Sequence, residues 1–313
     1  MRYILTTGCS FTNNLRLNPD RVNENTDPTR LSWPYYLQQE LGHEYQVLNY
    51  GGATNDNVSM CRIQLYHIDR LIKEGVNPKN ISIITQWSDP TRQGIYLHNQ
   101  FKEEHHHIGH TLVYHPKWKS KKGVFYLTGG FYPPDGPDSA IELFGIHNAI
   151  KYWELDINWN NIINQTMHWL ETWLLLEKTC SELGIKTYYM SMRNPYSKES
   201  KECHFGAPDN NSDIPTKSIW FNDYEVLKPY IDKLPIDSPN HWHYKNYCGL
   251  LEWAIDNRND EKYPLFQEYY GHEVDNYDDY LKVQSNGWGH PSAEMMELFI
   301  KTELKQFTDE LRN

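Results

Sequence analysis

Residues 80–87 read Asn-Ile-Ser-Ile-Ile-Thr-Gln-Trp, NISIITQW. Apolar side chains at Ile81, Ile83, Ile84 and Trp87 ignore strict alternation, so the run does not read as a strand with one wet face. A strand covered on both faces, the usual state in a parallel sheet, fits better. Working outward, Tyr3–Thr7 is a second β-prone run ended by Gly8, and Tyr45–Tyr50 is a third, closed by Gly51-Gly52. Between these two, residues 13–31 read as a long loop. Ser32 reads as an N-cap with Pro34 in the first turn, opening a helix through Leu41 that stops at Gly42. Asn55 or Asp56 caps a second helix to about Glu74, with Val58, Cys61, Leu65, Ile68 and Ile72 on one face, ended by Gly75. Strand, helix, strand, helix, strand in that order predicts a parallel sheet with right-handed crossovers, an α/β fold.

The rest of the chain extends this scheme. A long helix is expected from about Leu155 to Leu183, a fourth strand at Lys186–Met192, and a last helix opening after His290-Pro291 and running to about Leu311. Two stretches, about 93–150 and 193–285, fit poorly and read as insertions on the C-terminal side of the sheet; the second carries a helix near Tyr244–Asn257. No internal repeat, heptad pattern or linker divides residues 1–313, so one domain is expected.

Composition narrows the function. Thirty Lys+Arg against forty-one Asp+Glu give a net charge of −11. That balance argues against nucleic acid or an anionic membrane as partner. The five cysteines, Cys9, Cys61, Cys180, Cys203 and Cys248, are odd in number and lack metal-ligand spacing, which favours a reducing compartment. Residues 1–7 are too short for a signal peptide, and Trp169–Leu176 contains Glu171 and is too short to span a bilayer. The expected location is the cytoplasm, of a cell or of a phage host, or a virion. Aromatic residues make up 14% of the chain, which suits core packing first and sugar stacking second.

Ligands in open α/β sheets bind where strands end. Four segments fall there: Gly8-Cys9-Ser10-Phe11-Thr12, Gly51-Gly52-Ala53-Thr54-Asn55, Gln86-Trp87-Ser88-Asp89, and Gly287-Trp288-Gly289-His290-Pro291-Ser292. Ser10 offers a hydroxyl at the tip of a turn, and the glycines offer backbone N–H donors at close approach. Pro291 is expected at the first helical position with His290 at the N-cap, where the helix dipole keeps the imidazole neutral and basic. A Ser beside a neutral His, with backbone donors for an oxyanion, is the arrangement of acyl transfer.

In their order these segments resemble the SGNH hydrolases, the GDSL-like esterases and lipases. The resemblance implies a flavodoxin-like three-layer α/β/α fold with a parallel central sheet, carrying the two large loop and helical insertions. It implies Ser10 as nucleophile, Gly52 as an oxyanion donor and His290 as base, with no cofactor. Where that family has an Asp before the nucleophile this chain has Cys9, and where it has an oxyanion Asn this chain has Ser88. Asn55 and Gln86 are further amides that could replace the Asn. The position three before His290, normally the acid, is Gly287; Asp89, Asp275, Asp278, Asp279 or a backbone carbonyl are the alternatives for orienting the ring. The implied activity is cleavage of a carboxylic ester, with an O-acetyl group on a carbohydrate as the substrate suggested by the aromatic insertions. Transfer of the acyl group, or of a sulfo group, to a sugar hydroxyl uses the same sheet. The alternative is an SGNH-fold binding or structural protein with impaired chemistry, glycan-binding or of phage assembly type. The clusters at His105, His106, His107 and His110, and at His241 and His243, lack a carboxylate at fixed spacing and are read as loop residues, not metal ligands. The oligomeric state is not encoded in any of these signals.

Overall fold

The computed structural model describes residues 1–9, 11–12, 32–51, 56–88, 93–98, 123–128, 162–192, 225–245, 249–257, 291 and 293–312. Its strands are β1 (Arg2–Thr7), β2 (Tyr45–Asn49), β3 (Ile81–Trp87), β4 (Gln93–His98), β5 (Gly123–Thr128), β6 (Lys186–Ser191) and β7 (His241–Trp242). Its helices are α1 (Trp33–Leu41), α2 (Asn57–Lys73), α3 (Ile162–Leu183), α4 (Lys228–Ile231), α5 (Leu250–Asp256), α6 (Ala293–Thr302) and α7 (Lys305–Arg312). Five strands form one parallel sheet in the order β2-β1-β3-β6-β7, while β4 and β5 pair antiparallel by themselves. The chain is therefore an α/β protein. Among the described residues no helix is long and apolar enough to cross a membrane.

All seven residues of β3 are buried, as its unbroken apolar pattern requires. The helices form two packed groups, α1 with α6 and α7, and α2 with α3. Successive residues of β6 serve different groups, because side chains alternate along a strand. Tyr189 stacks on Trp87 at 5.5 Å and lies 4.9 Å from Trp173 of α3, whereas Tyr188 meets Phe307 of α7 edge-on at 3.9 Å. Trp87, Trp169 and Trp173 close this aromatic cluster, with ring separations of 4.8 to 5.8 Å. The last helix holds the opposite end of the sheet, where the Tyr45 hydroxyl donates to the Leu311 carbonyl and Arg2 donates to the same carbonyl at 2.8 Å.

Four expectations need correction. The buried face of α2 runs through Met60, Cys61, Ile63, Gln64, His67, Ile68 and Leu71, and Val58, Leu65 and Ile72 are only partly covered. Two polar side chains join that face because the sheet gives them partners: Gln64 accepts from Thr85 Oγ1 at 2.9 Å and donates to the Ile84 carbonyl at 3.3 Å, and His67 stacks on Tyr50 at 3.6 Å. The stretch 193–285 is not insertion throughout, since β7 is the sheet's fifth strand and Leu227, Leu234, Ile236, Leu251 and Trp253 lie in the core. The last helix is two helices, parted where the N–H groups of Glu303 and Leu304 both donate to the Phe299 carbonyl. It also begins later than expected, at Ala293, so Pro291 is a buried residue ahead of the helix and not its first position.

Candidate active site

The carboxyl ends of β1 and β3 lie side by side, Thr7 paired with Thr85. From β1 the chain leaves toward β2 on one side, and the later strands extend beyond β3 on the other. The order reverses between β1 and β3, and such a reversal opens a crevice at the strand ends. The loop after β1 is built against it.

Thr12 is the hub of that construction and is fully buried. Its N–H donates to the Cys9 carbonyl at 2.9 Å, closing the span 9–12 as a turn. Its carbonyl accepts from Asn49 Nδ2 at 2.9 Å, at the end of β2. Its hydroxyl donates to Gln86 Oε1 at 2.6 Å and accepts from the Trp33 indole at 3.3 Å. Glycine is needed on both sides of it. A Cβ on Gly8 would stand 1.9 Å from Thr12 Oγ1, and one on Gly51 would stand 2.6 Å from Thr12 Cβ and Cγ2. Asn49 completes the brace by accepting from Thr6 Oγ1 at 3.1 Å and from the Gly51 N–H at 2.9 Å.

A second brace fixes the end of β3 to the start of α2. Asn57 accepts from the Ser88 N–H at 2.7 Å and donates to the Ser88 carbonyl at 3.1 Å, so both ends of its amide are used. Asp56 caps α2 through Oδ1, which accepts from the Ser59 N–H at 2.9 Å, while Oδ2 is buried without a partner. Burial raises the Asp56 carboxyl above its ordinary 3.8, against the hydrogen bond from Ser59 and the charge of Arg62, which lower it.

Unmet polar atoms mark the same edge. Among the described residues, the hydroxyls and side-chain amides buried without a partner are Thr7 Oγ1, Gln86 Nε2, Ser88 Oγ and Ser191 Oγ. Each belongs to the last two residues of a strand or to the residue just after it. Buried polar groups in native proteins are almost always paired, so a row of four unmet ones at the sheet's carboxyl edge suits a ligand that supplies the partners.

Of the site residues expected from sequence, Ser88 and Gln86 are described: Ser88 is buried, its backbone is clamped by Asn57 and its hydroxyl is uncommitted, while Gln86 is buried with its oxygen bonded to Thr12. Ser10, Gly52, Asn55, Asp89, Asp275, Asp278, Asp279 and His290 lie outside the described residues, as do His105, His106, His107 and His110. Cys9 and Phe11, the sequence neighbours of Ser10, are buried. Pro291, expected as the first helical residue beside His290, is not helical; His290 itself lies outside the described residues. His241 is a strand residue, buried beside Trp173 and Tyr189 with its ring 4.0 Å from that of His243. Burial, and next the proximity of His243, hold its imidazole well below the ordinary range. Among the described residues no group of three or more His, Cys, Asp or Glu is placed to hold a metal ion. The residues sequence reasoning missed are the braces Thr12, Asn49 and Asn57, which lie after β1, at the end of β2 and at the start of α2.

Comparison with family models, curated proteins and solved structures returns no match to this chain.

Proposed function

We propose that the chain is a serine hydrolase of SGNH type, acting on a carboxylic ester, on a flavodoxin-like three-layer α/β/α fold. Its sheet order, read without the separate hairpin, is 2-1-3-4-5, the flavodoxin-like order. The contacts of Tyr188 and Tyr189 with different helix groups favour helices on both faces. The observation that carries the functional reading is the bracing of the turn 9–12 against β3, at the strand-order reversal. A loop with a solvent-turning role alone has no need of a buried hub and two glycines moulded around it.

In this mechanism Ser10 attacks the acyl carbonyl while His290 takes its proton. The N–H groups of Ser10 and Gly52, with the Ser88 hydroxyl or the Asn55 amide, hold the oxyanion. His290 then protonates the leaving alkoxide, and water hydrolyses the acyl-enzyme by the same route in reverse. The aromatic insertions favour an ester on a carbohydrate, such as an O-acetyl group.

A fluorophosphonate probe tests this on the full chain. Labelling that disappears in Ser10→Ala supports the hydrolase. No labelling of a folded wild-type chain overturns it, and favours the second reading, a binding or structural protein. The specific observation behind that second reading is Gly287, which puts no carboxylate three residues before His290.

A further inference from the structure

The side chain of Gln86 stands out from every other buried amide near the sheet. Gln64, one helix away, has both ends of its amide satisfied by β3, through Thr85 and Ile84. Asn57 has both ends satisfied by Ser88. Gln86 is fully buried with its oxygen engaged and its nitrogen unmet.

The hydrogen bonds around it fix which end faces where. The Trp33 indole can only donate, so the Thr12 hydroxyl accepts from it and has its own proton free for Gln86. That proton goes to the oxygen of the Gln86 amide, which faces Thr12 at 2.6 Å. Cys9 Sγ lies 3.9 Å from the same oxygen. The oxygen thus touches the two ends of the turn 9–12, and the nitrogen sits one carbon away from it. A donor held in this way is oriented before any ligand arrives, which is what electrostatic stabilisation of a developing charge demands.

We propose that Gln86 donates from Nε2 to the carbonyl oxygen of the substrate as it becomes an oxyanion, in the role that the chain's lack of an Asn at position 88 leaves open. The assignment rests on the serine-hydrolase reading and adds a catalytic residue to it. Its oxygen, bonded to Thr12, sets the aim; its nitrogen does the chemistry. No covalent bond to Gln86 forms or breaks.

The test compares wild type with Gln86→Glu, using p-nitrophenyl acetate and a fluorophosphonate. Glu keeps the acceptor that Thr12 needs and, once ionised, loses the donor, so kcat is compared on the alkaline plateau of the variant's pH profile. The expected result is a fall in kcat of about 100- to 1000-fold, with KM changed less than about threefold and slower phosphonylation of Ser10. A kcat within about threefold of wild type overturns the assignment. A measurement on wild-type protein stands beside it, independent of how the variant folds. In chain labelled with 15N-glutamine, phosphonylation of Ser10 with loss of fluoride places a strongly polar phosphoryl oxygen where the oxyanion would sit, and the Gln86 side-chain amide protons are expected to shift downfield and exchange more slowly. Unmoved Gln86 amide signals on a phosphonylated chain overturn the proposal. Failure of the parent reading looks different: probe labelling is then absent, or persists in Ser10→Ala.

Discussion

Thr12→Val is the sharpest test of how the strand ends are held together. Valine reproduces the shape of threonine and removes one hydroxyl from a fully buried position. Two partners then stay behind in a dry interior, Gln86 Oε1 and the Trp33 indole N–H. A buried polar group left unmet costs about 1–3 kcal/mol. The Gln86 bond at 2.6 Å belongs in the upper part of that range and the Trp33 bond at 3.3 Å near the bottom, giving a loss of about 2–4 kcal/mol. Thr12→Ser keeps the hydroxyl and deletes one methyl, a loss of about 1 kcal/mol. Valine is the closer match in volume, so a site held by packing alone ranks the two substitutions the other way. Urea unfolding reads the difference as a shift in midpoint at constant slope. A Thr12→Val chain within about 0.5 kcal/mol of wild type refutes the reasoning. So does one more stable than Thr12→Ser.

Three further outcomes follow from the same contacts. Gly8→Ala drives a methyl to 1.9 Å from Thr12 Oγ1 and 3.0 Å from Gln86 Cβ, and is expected to cost about 2–3 kcal/mol in a thermal melt; a neutral result means the loop does not pack as described. Asp56 has a raised carboxyl pKa, so the native state binds its proton more tightly than the unfolded state does, and stability falls as pH rises from the ordinary 3.8 through the folded value. Asp56→Asn keeps a capping oxygen and abolishes that titration, so its stability relative to wild type should climb with pH and then level off; a pH-independent difference argues against the burial of the charge. His241 has the opposite sign. Its folded pKa is depressed, so stability is fully present above 6.5 and is lost as pH falls and the unfolded chain takes up the proton, and His241→Gln should flatten that acid limb in equilibrium unfolding.

Much of the sheet was legible in the sequence because its strands are short apolar runs, with glycine closing the first two. Tyr3–Thr7, Tyr45–Tyr50 and Lys186–Met192 match β1, β2 and β6 to within a residue, and Asp56 is the cap of α2. What escaped is what depends on partners remote in the chain. A two-residue strand such as β7 has no periodicity to detect; it exists because β6 offers its edge, with Tyr189 donating to the Asn240 carbonyl at 2.9 Å. The pairing of β4 with β5 crosses residues 99–122, whose histidine-rich composition says nothing about register. The face of α2 was misjudged because apolar spacing has no way to foresee that Thr85 and Ile84 would satisfy a buried glutamine. The site behaved similarly. Strand ends could be located from GCSFT and TQWS, yet the roles of Thr12 and Gln86 depend on β1 and β3 being neighbours in a definite register.

That register also explains why polarity is spent so unevenly along β3. Ser82, Thr85, Gln86 and Ser88 are all buried, although a strand covered on both faces gains stability from apolar residues. Thr85 is matched by Gln64 and belongs to the core. One residue further on, the side chain turns to the opposite side of the sheet, toward Thr12 and Trp33, and half of its amide goes unmatched. An Ile or Met at 86 together with a Val at 12 would remove the orphaned amide and the hydroxyl that binds it, and replacing both partners of a buried hydrogen bond by apolar groups is often nearly neutral or stabilising. The glutamine therefore makes sense as an aimed group more than as a strut, since the strut needs its oxygen alone. The glycines at 8 and 51 carry the same logic: each gives up backbone rigidity so that Thr12 can sit close enough to hold that oxygen still. Stability is lower than an apolar edge would give, and what it yields is a donor whose amide is fixed in direction by Thr12.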